Sequence, residues 1–293
     1  MRHSSISAPS PGLNRWLAQI DQAMQKHDMA SASRLAASAL DLGYVHPALF
    51  NLRAQASRLD GRLEEALADL ARAHDLNNRS AWTLADMADC LNALSRYPKA
   101  LAAADAAIAA DRKYSKAWFQ KGLAHQALRE IGRARTAYLM AVQLEPSLAD
   151  AHARLANIAA EQADHVEARR FAMTALAAAP GHPMALLALI AADMGEDKLA
   201  DAERRLVAFL ARADLPAPMR AVAISQLGDL RDAQGKVDEA FAAYADSRAI
   251  WAGFHVPQFE SRELGCNQVL RLGAMLAGAP AQMGPGAGLG LSR

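Results

Sequence analysis

The side chains of greatest chemical potential in this 293-residue sequence are nine histidines, two cysteines and a balanced set of charges. His125 and His152 stand out, because each occupies a position whose neighbours in pattern are apolar. A metal site would need an Asp, Glu or Cys at ligand spacing to complete the set, and none stands there. The favoured reading is that each histidine replaces an aromatic and hydrogen-bonds locally. His46-Pro47 and His182-Pro183 put a polar residue directly before proline, which reads as a helix start. Cys90 and Cys266 are remote from each other and form no CxxC pair, so neither a disulfide framework nor a cysteine zinc site is implied. A reducing compartment fits that usage. Cys90 itself is expected to act as a small buried hydrophobe.

No catalytic constellation accompanies these groups. HExxH, GxSxG and the GxxxxGK[ST] phosphate loop are all missing. The tail glycines Gly284, Gly286, Gly288 and Gly290 merely alternate and open no helix. No catalytic residue, metal or cofactor is therefore expected, and the protein is read as non-enzymatic. Lys and Arg number 32 against 31 Asp and Glu, a formal charge of +1. That balance supplies no basic field for a phosphate backbone, so nucleic acid is not an expected partner. The N-terminal residues lack an apolar signal-like core. The longest apolar run, Met184 to Ala192, falls well short of the roughly 18 residues a bilayer span needs. A soluble, cytoplasmic chain without a membrane partner is the expectation.

The elements that must position any site follow from composition and period. Alanine fills 70 of the 293 positions, and the β-branched residues Val and Ile are scarce. Alanine has the highest helix propensity, and β-branched residues favour strands. An all-α fold follows. Its order shows on stepping by 34 residues: Ala32, Ala66, Ala100, Ala134, Ala168 and Ala202 share one phase, and Ala240 joins after a four-residue slip. Ala39, Ala73, Ala107, Ala141 and Ala175 share a second phase, later broken by Phe209 and Ser247. A third carries Ala54, Ala88, Gly122, Ala156 and Gly228. Helices approach closely only where small side chains face each other, while large residues fill the holes between. Trp16, Phe50, Leu84, Trp118, His152, Leu186 and Ile224 take one large position, and Leu70, Tyr138, Leu206 and Tyr244 another. The segment Ala117 to Pro146 reads as two amphipathic helices joined by a turn at Glu130-Ile131-Gly132-Arg133.

With this period and this alternation of small and large positions, the chain resembles the tetratricopeptide repeat family. The resemblance implies seven helix–turn–helix units, residues 13–46, 47–80, 81–114, 115–148, 149–182, 183–216 and 221–254, stacked in a right-handed α-solenoid. The sixth unit carries Asp193 where a large residue is expected, and leads into a proline-broken insertion from Asp214 to Met219. Residues 1–12, rich in Ser and Pro, are expected to be disordered. Residues 255–277 read as a capping helix, with Phe259, Cys266, Val269, Leu270 and Met275 available to cover the last unit. The Gly/Pro-rich residues 278–293 are expected to carry no packed element.

The family resemblance also implies a function. Its first helices line a concave groove in which peptides dock. The inward positions here include Asn51, Trp82, Asp89, Lys116, Phe119, Leu123, Gln126 and Asn157, a mixture of amides, charges and aromatic faces. A protein or peptide partner bound by a scaffold is the expected function. The carboxylate clamp of the chaperone-binding members does not fit, since Asn51 and Gln55 are followed by the acid Asp86 and then Lys116 and Gln120. The array also resembles the N-terminal repeat half of bacterial tetratricopeptide-linked sulfotransferases, with Gln258 to Glu263 as local support. The catalytic domain of those proteins is absent from this sequence, so the alternative expectation is a truncated or orphan repeat half of such a protein.

Overall fold

The computed structural model describes residues 10–77 and 80–259, and every regular element among them is an α-helix. The chain divides into two compact units, Met1–Lys198 and Leu199–Arg293. In the first lie α1 (Pro11–Gln25), α2 (Met29–Asp41), α3 (Pro47–Leu59), α4 (Leu63–Leu76), α5 (Ala81–Ala93), α6 (Tyr97–Ala110), α7 (Ser115–Ala127), α8 (Ile131–Leu144), α9 (Ala149–Glu161), α10 (His165–Ala178) and α11 (Pro183–Gly195). The second holds α12 (Leu199–Leu210), α13 (Ala217–Ala233) and α14 (Val237–Phe259). Within each unit successive helices pack on their neighbours in the chain, as in an α-solenoid.

The boundaries follow local chemistry. Ser10, Asp28, Ser80 and Asp164 accept a backbone N–H from the first turn of α1, α2, α5 and α10. His46 and His182 do the same through Nδ1, each followed by a proline at the first helical position. The first helix thus begins at Pro11, two residues ahead of the expected unit boundary. In the same way α13 begins at Ala217, absorbing the end of the proline-broken insertion into its first turn. α14 runs on past 254 without a break. The remainder of the expected capping helix and the Gly/Pro-rich tail lie outside the described residues, as do residues 1–9.

Every turn from a first to a second helix closes in the same way. His27, Gly61, Ser95, Arg129, Ala163, Asp197 and Gly235 all have positive φ, between 56° and 76°. The next amide in each case bonds back five residues, as in Asp28 to Ala23, Glu130 to His125 and Lys236 to Arg231. This is a Schellman closure, repeated with the 34-residue step and the same four-residue slip. In the fourth unit it moves the turn from the expected 130–133 to Leu128–Glu130. Ile131 is drawn into the helix because its side chain packs on the core around Tyr138.

The in-phase alanines are the contacts of closest approach. Ala32, Ala66, Ala100, Ala134, Ala168 and Ala202 are wholly buried, as are Ala39, Ala73, Ala107, Ala141 and Ala175. Gly122 and Gly228 make room for a larger partner. A Cβ on Gly122 would lie 2.4 Å from the Tyr138 ring, and one on Gly228 2.5 Å from Tyr244. Where the second helix offers Leu70, Ala104 or Ala172 instead, the first helix carries Ala54, Ala88 or Ala156. Charges tie adjacent units about one repeat apart: Glu64 to Arg96, Arg135 to Glu167, and Arg169 to both Asp193 and Glu196. Asp193, unexpected in a large-residue position, is thus a buried carboxylate held by a guanidinium.

Candidate functional site

The first helices α3, α5, α7 and α9 present a shared face. A polar ladder crosses it. Arg58, in the last turn of α3, reaches Asp86 at 3.5 Å and also pairs with Asp89 of α5. Lys116 of α7 pairs with Asp86, whose side chain is almost wholly buried between the two cations. Gln120, buried on α7, donates to Asp89 Oδ1 at 3.0 Å and accepts from Asn92 Nδ2 at 2.9 Å. Asn51 Oδ1 accepts from the Thr83 hydroxyl at 3.3 Å.

The eight expected groove residues therefore divide. Asn51 is buried at the α3–α5 contact and does not open onto the face. Asp89 and Lys116 belong to the ladder, where their charges are spent on neighbouring helices. Phe119 lies half-buried against the core, its ring 5.8 Å from that of Tyr138. Asn157 bonds Glu161 of its own helix at 2.8 Å. Trp82 is exposed. Leu123, Gln126 and Asp89 come together at a hollow of about 460 Å³ between α5, α7 and α9, with Asn92, Ala93, Tyr97, Ala127 and Arg154.

Arg154 is the residue that sequence reasoning missed. Among the described residues it makes no hydrogen bond or ion pair. Beside it, the buried Oδ1 of Asn92 has no donor. Gln126 uses its carbonyl to accept from Tyr138 OH at 2.8 Å, which leaves its amide N–H groups uncommitted. A signal was present: Arg154 is one 34-residue step beyond Gln120, and Gln126 one step beyond Asn92. A larger hollow, about 870 Å³, lies between α2, α3 and α4. In it Arg53 forks onto Asp69 at 2.6–2.7 Å and Arg62 pairs with Asp60 and Glu65, while Arg34 bonds only the Ser31 hydroxyl at 2.9 Å.

His125, His152 and His182 each bond within the fold. His125 Nδ1 lies 2.6 Å from Glu130, and this bond holds the Glu130 carboxyl below its ordinary range. His152 Nε2 donates to the Pro146 carbonyl at 2.9 Å. His182 Nε2 donates to Asp150 at 3.0 Å and lowers that carboxyl in turn. Burial pushes the Cys90 thiol up to about 11, so it stays protonated and inert. No group of three or more His, Cys, Asp or Glu gathers as a metal cluster among the described residues. No described helix is long and apolar enough to cross a membrane.

The sequence matches no family model and no curated protein. Solved structures do match. A tetratricopeptide repeat protein from Parabacteroides merdae superposes with a TM-score of 0.56 at 16% identity, over 81% of this chain and 92% of that one. PilF of Pseudomonas aeruginosa gives 0.58 at 16% identity, over 74% and 97%. A thermophilic tetratricopeptide protein from Thermus thermophilus gives 0.51 at 21% identity, over 61% and 97%.

The chain has the tetratricopeptide repeat fold. The face carrying the ladder and the Arg154 hollow is formed by α3, α5, α7 and α9 of that fold.

Proposed function

We propose that this tetratricopeptide array is a non-catalytic interaction scaffold that binds an extended segment of a protein partner on the face formed by α5, α7 and α9. The observation that carries this reading is Arg154, a cation that makes no hydrogen bond or ion pair among the described residues and has only the more distant Asp150 of its own helix as a charge neighbour, beside a buried Asn92 oxygen that lacks a donor. Retaining a desolvated polar atom unpaired costs about 1–3 kcal/mol. Arg154 suits a carboxylate of the partner, since a guanidinium binds one through two parallel bonds. Asn92 and Gln126 suit the amides of an extended backbone, with Leu123 and Tyr97 as apolar walls. The ladder from Arg58 to Gln120 keeps the helices in register beneath. Among solved neighbours, the Cut9–Hcn1 assembly is a hetero-tetramer. This chain matches it with a TM-score of 0.57 at 14% identity, over 80% of its own length and 46% of that chain's. That likeness agrees with a role in protein assembly.

The test is a defined peptide array probed with the full chain. Peptides bearing an acidic residue should be enriched, and Arg154→Glu should weaken their binding at least tenfold. Arg133→Glu, an exposed change away from the hollow, should not. Indifference of the bound set to acidic residues, or retained binding by Arg154→Glu, would overturn the reading.

A further inference from the structure

The hollow of about 870 Å³ between α2, α3 and α4 has a cause in the repeat. From the second unit to the sixth, the residue after the in-phase alanine of the second helix is large and reaches the next unit. Leu67 packs on the cluster that holds Ala88 and Leu91 of α5, and Leu101 on the same cluster where Ala124 of α7 enters it. Arg135 pairs with Glu167 of α10, Arg169 with Asp193 and Glu196 of α11, and Glu203 with Arg231 of α13. In the first unit that residue is Ser33. The α3 position that matches Leu91, His125 and Asp193 is likewise a serine, Ser57, and both serines line the hollow. Two steps further on, the same place between α6, α7 and α8 holds Leu101 and His125, and about 470 Å³ stays open there.

The lining is chemically specific. Met29, Ala37, Ala56, Leu59 and Ala68 give it apolar walls. Ser57 is 3% exposed, yet its hydroxyl makes no hydrogen bond among the described residues. That hydroxyl has a proton to donate and lone pairs to accept. Arg34 lines the hollow from α2 and is bonded to a neutral group, the Ser31 hydroxyl. Asp28, which caps the same helix through the Ser31 N–H, is a more distant charge neighbour. Arg34 therefore keeps N–H groups for an incoming carboxylate. A cationic ligand finds no such opening, because Asp69 is held by Arg53, and Asp60 and Glu65 by Arg62.

We propose that this hollow binds a small organic acid, its carboxylate on Arg34, its apolar body among the alanines of α2, α3 and α4, and a second oxygen, hydroxyl or carbonyl, on Ser57. Pockets that enclose small molecules have volumes of about 300–1,000 Å³, and this one falls within that range. The apolar body takes the place that Leu67 and Leu101 fill in the next two units. The second oxygen is required because an apolar group laid over the Ser57 hydroxyl would desolvate it without a partner. The hollow shares no lining residue with the face of α5, α7 and α9, so the two sites are separate.

The experiment is calorimetric titration of the full chain with para-hydroxyphenylpropionate, beside phenylpropionate and the amide of the hydroxy acid. The hydroxy acid should bind saturably, with a Kd below about 1 mM. Arg34→Gln should weaken it about tenfold, down to the affinity of the amide. Ser57→Ala should weaken it about fivefold and leave phenylpropionate unchanged. Ser33→Leu, which installs the side chain that the next two units carry, should abolish binding and keep the denaturation midpoint. Absence of saturable binding, undiminished binding by Ser33→Leu, or equal affinity for acid and amide would overturn the proposal. A measurement on the unaltered chain fixes the place independently of these variants. With methionine methyl groups labelled for NMR, the Met29 signal, assigned through Met29→Leu, should move along the titration, while that of the exposed Met173 on α10 stays still. A Met29 signal that does not move would also overturn it.

Discussion

Gly122 and Tyr138 show how one residue's identity is fixed by another's volume. Adding a methyl group at 122 places it 2.4 Å from a ring that is wholly buried and hydrogen-bonded to Gln126. The ring cannot move outward, so Gly122→Ala should cost about 1–3 kcal/mol, read as a lower midpoint in chemical denaturation. The second unit pairs Ala54 with Leu70, which points to the remedy: Gly122→Ala with Tyr138→Leu should recover much of the loss, and purely additive losses would refute the pairing. The turn residues carry an opposite lesson. Ala163 has φ of 57°, a conformation costly to any residue with a Cβ. Ala163→Gly relieves that cost at the expense of a more flexible unfolded chain, and should stabilise by about 0.5–1 kcal/mol net. Thermal melts of the two proteins decide it.

Between elements, the junction of α10 and α11 is governed by charge. Arg169 holds Asp193 and Glu196, and with Lys198 keeps the Glu196 carboxyl down at about 2. A carboxyl whose folded value is depressed stabilises the fold above its unfolded value, and that contribution fades as pH falls from about 4.5 toward 2. Acid titration of the denaturation midpoint should therefore show a loss in this window that Glu196→Gln flattens. Glu196 is solvent-accessible, so salt should shrink the effect. Arg169→Ala is the harsher change. It strips the Arg169 cation from Asp193, which is 1% exposed, and should cost about 3 kcal/mol, because a buried carboxylate loses a charged partner.

Across the whole molecule, stability is a sum over neighbours. Within each compact unit a helix meets those adjacent in the chain, so a defect should act locally. Ala134→Leu overpacks a wholly buried contact and should cost about 1–3 kcal/mol. In hydrogen exchange the loss should centre on α7, α8 and α9 and leave α13 and α14 near their original protection. A uniform loss throughout the chain would show a more cooperative fold than nearest-neighbour packing implies.

The sequence alone determined the all-α class, the 34-residue step and the buried alanine phases. The reason is steric: close helix contacts demand small side chains at a fixed period, so the demand is written directly in residue identity. The role of His46 and His182 as helix starts was legible for the same local reason, since proline fixes the residue that follows. The left-handed turn position was not legible, because glycine occupies it only at Gly61 and Gly235, and the Schellman closure imposes the conformation on the rest. Nor was the fate of the polar face. Asn51, Asp89 and Lys116 resemble ligand-binding residues by position and type, yet whether a polar side chain faces a partner or a neighbouring helix depends on distances across the α3, α5 and α7 contacts. Only the tertiary structure decided that those three bond to neighbouring helices and that Arg154 makes no hydrogen bond or ion pair, because pairing between helices is a matter of proximity that residue spacing along the chain does not encode.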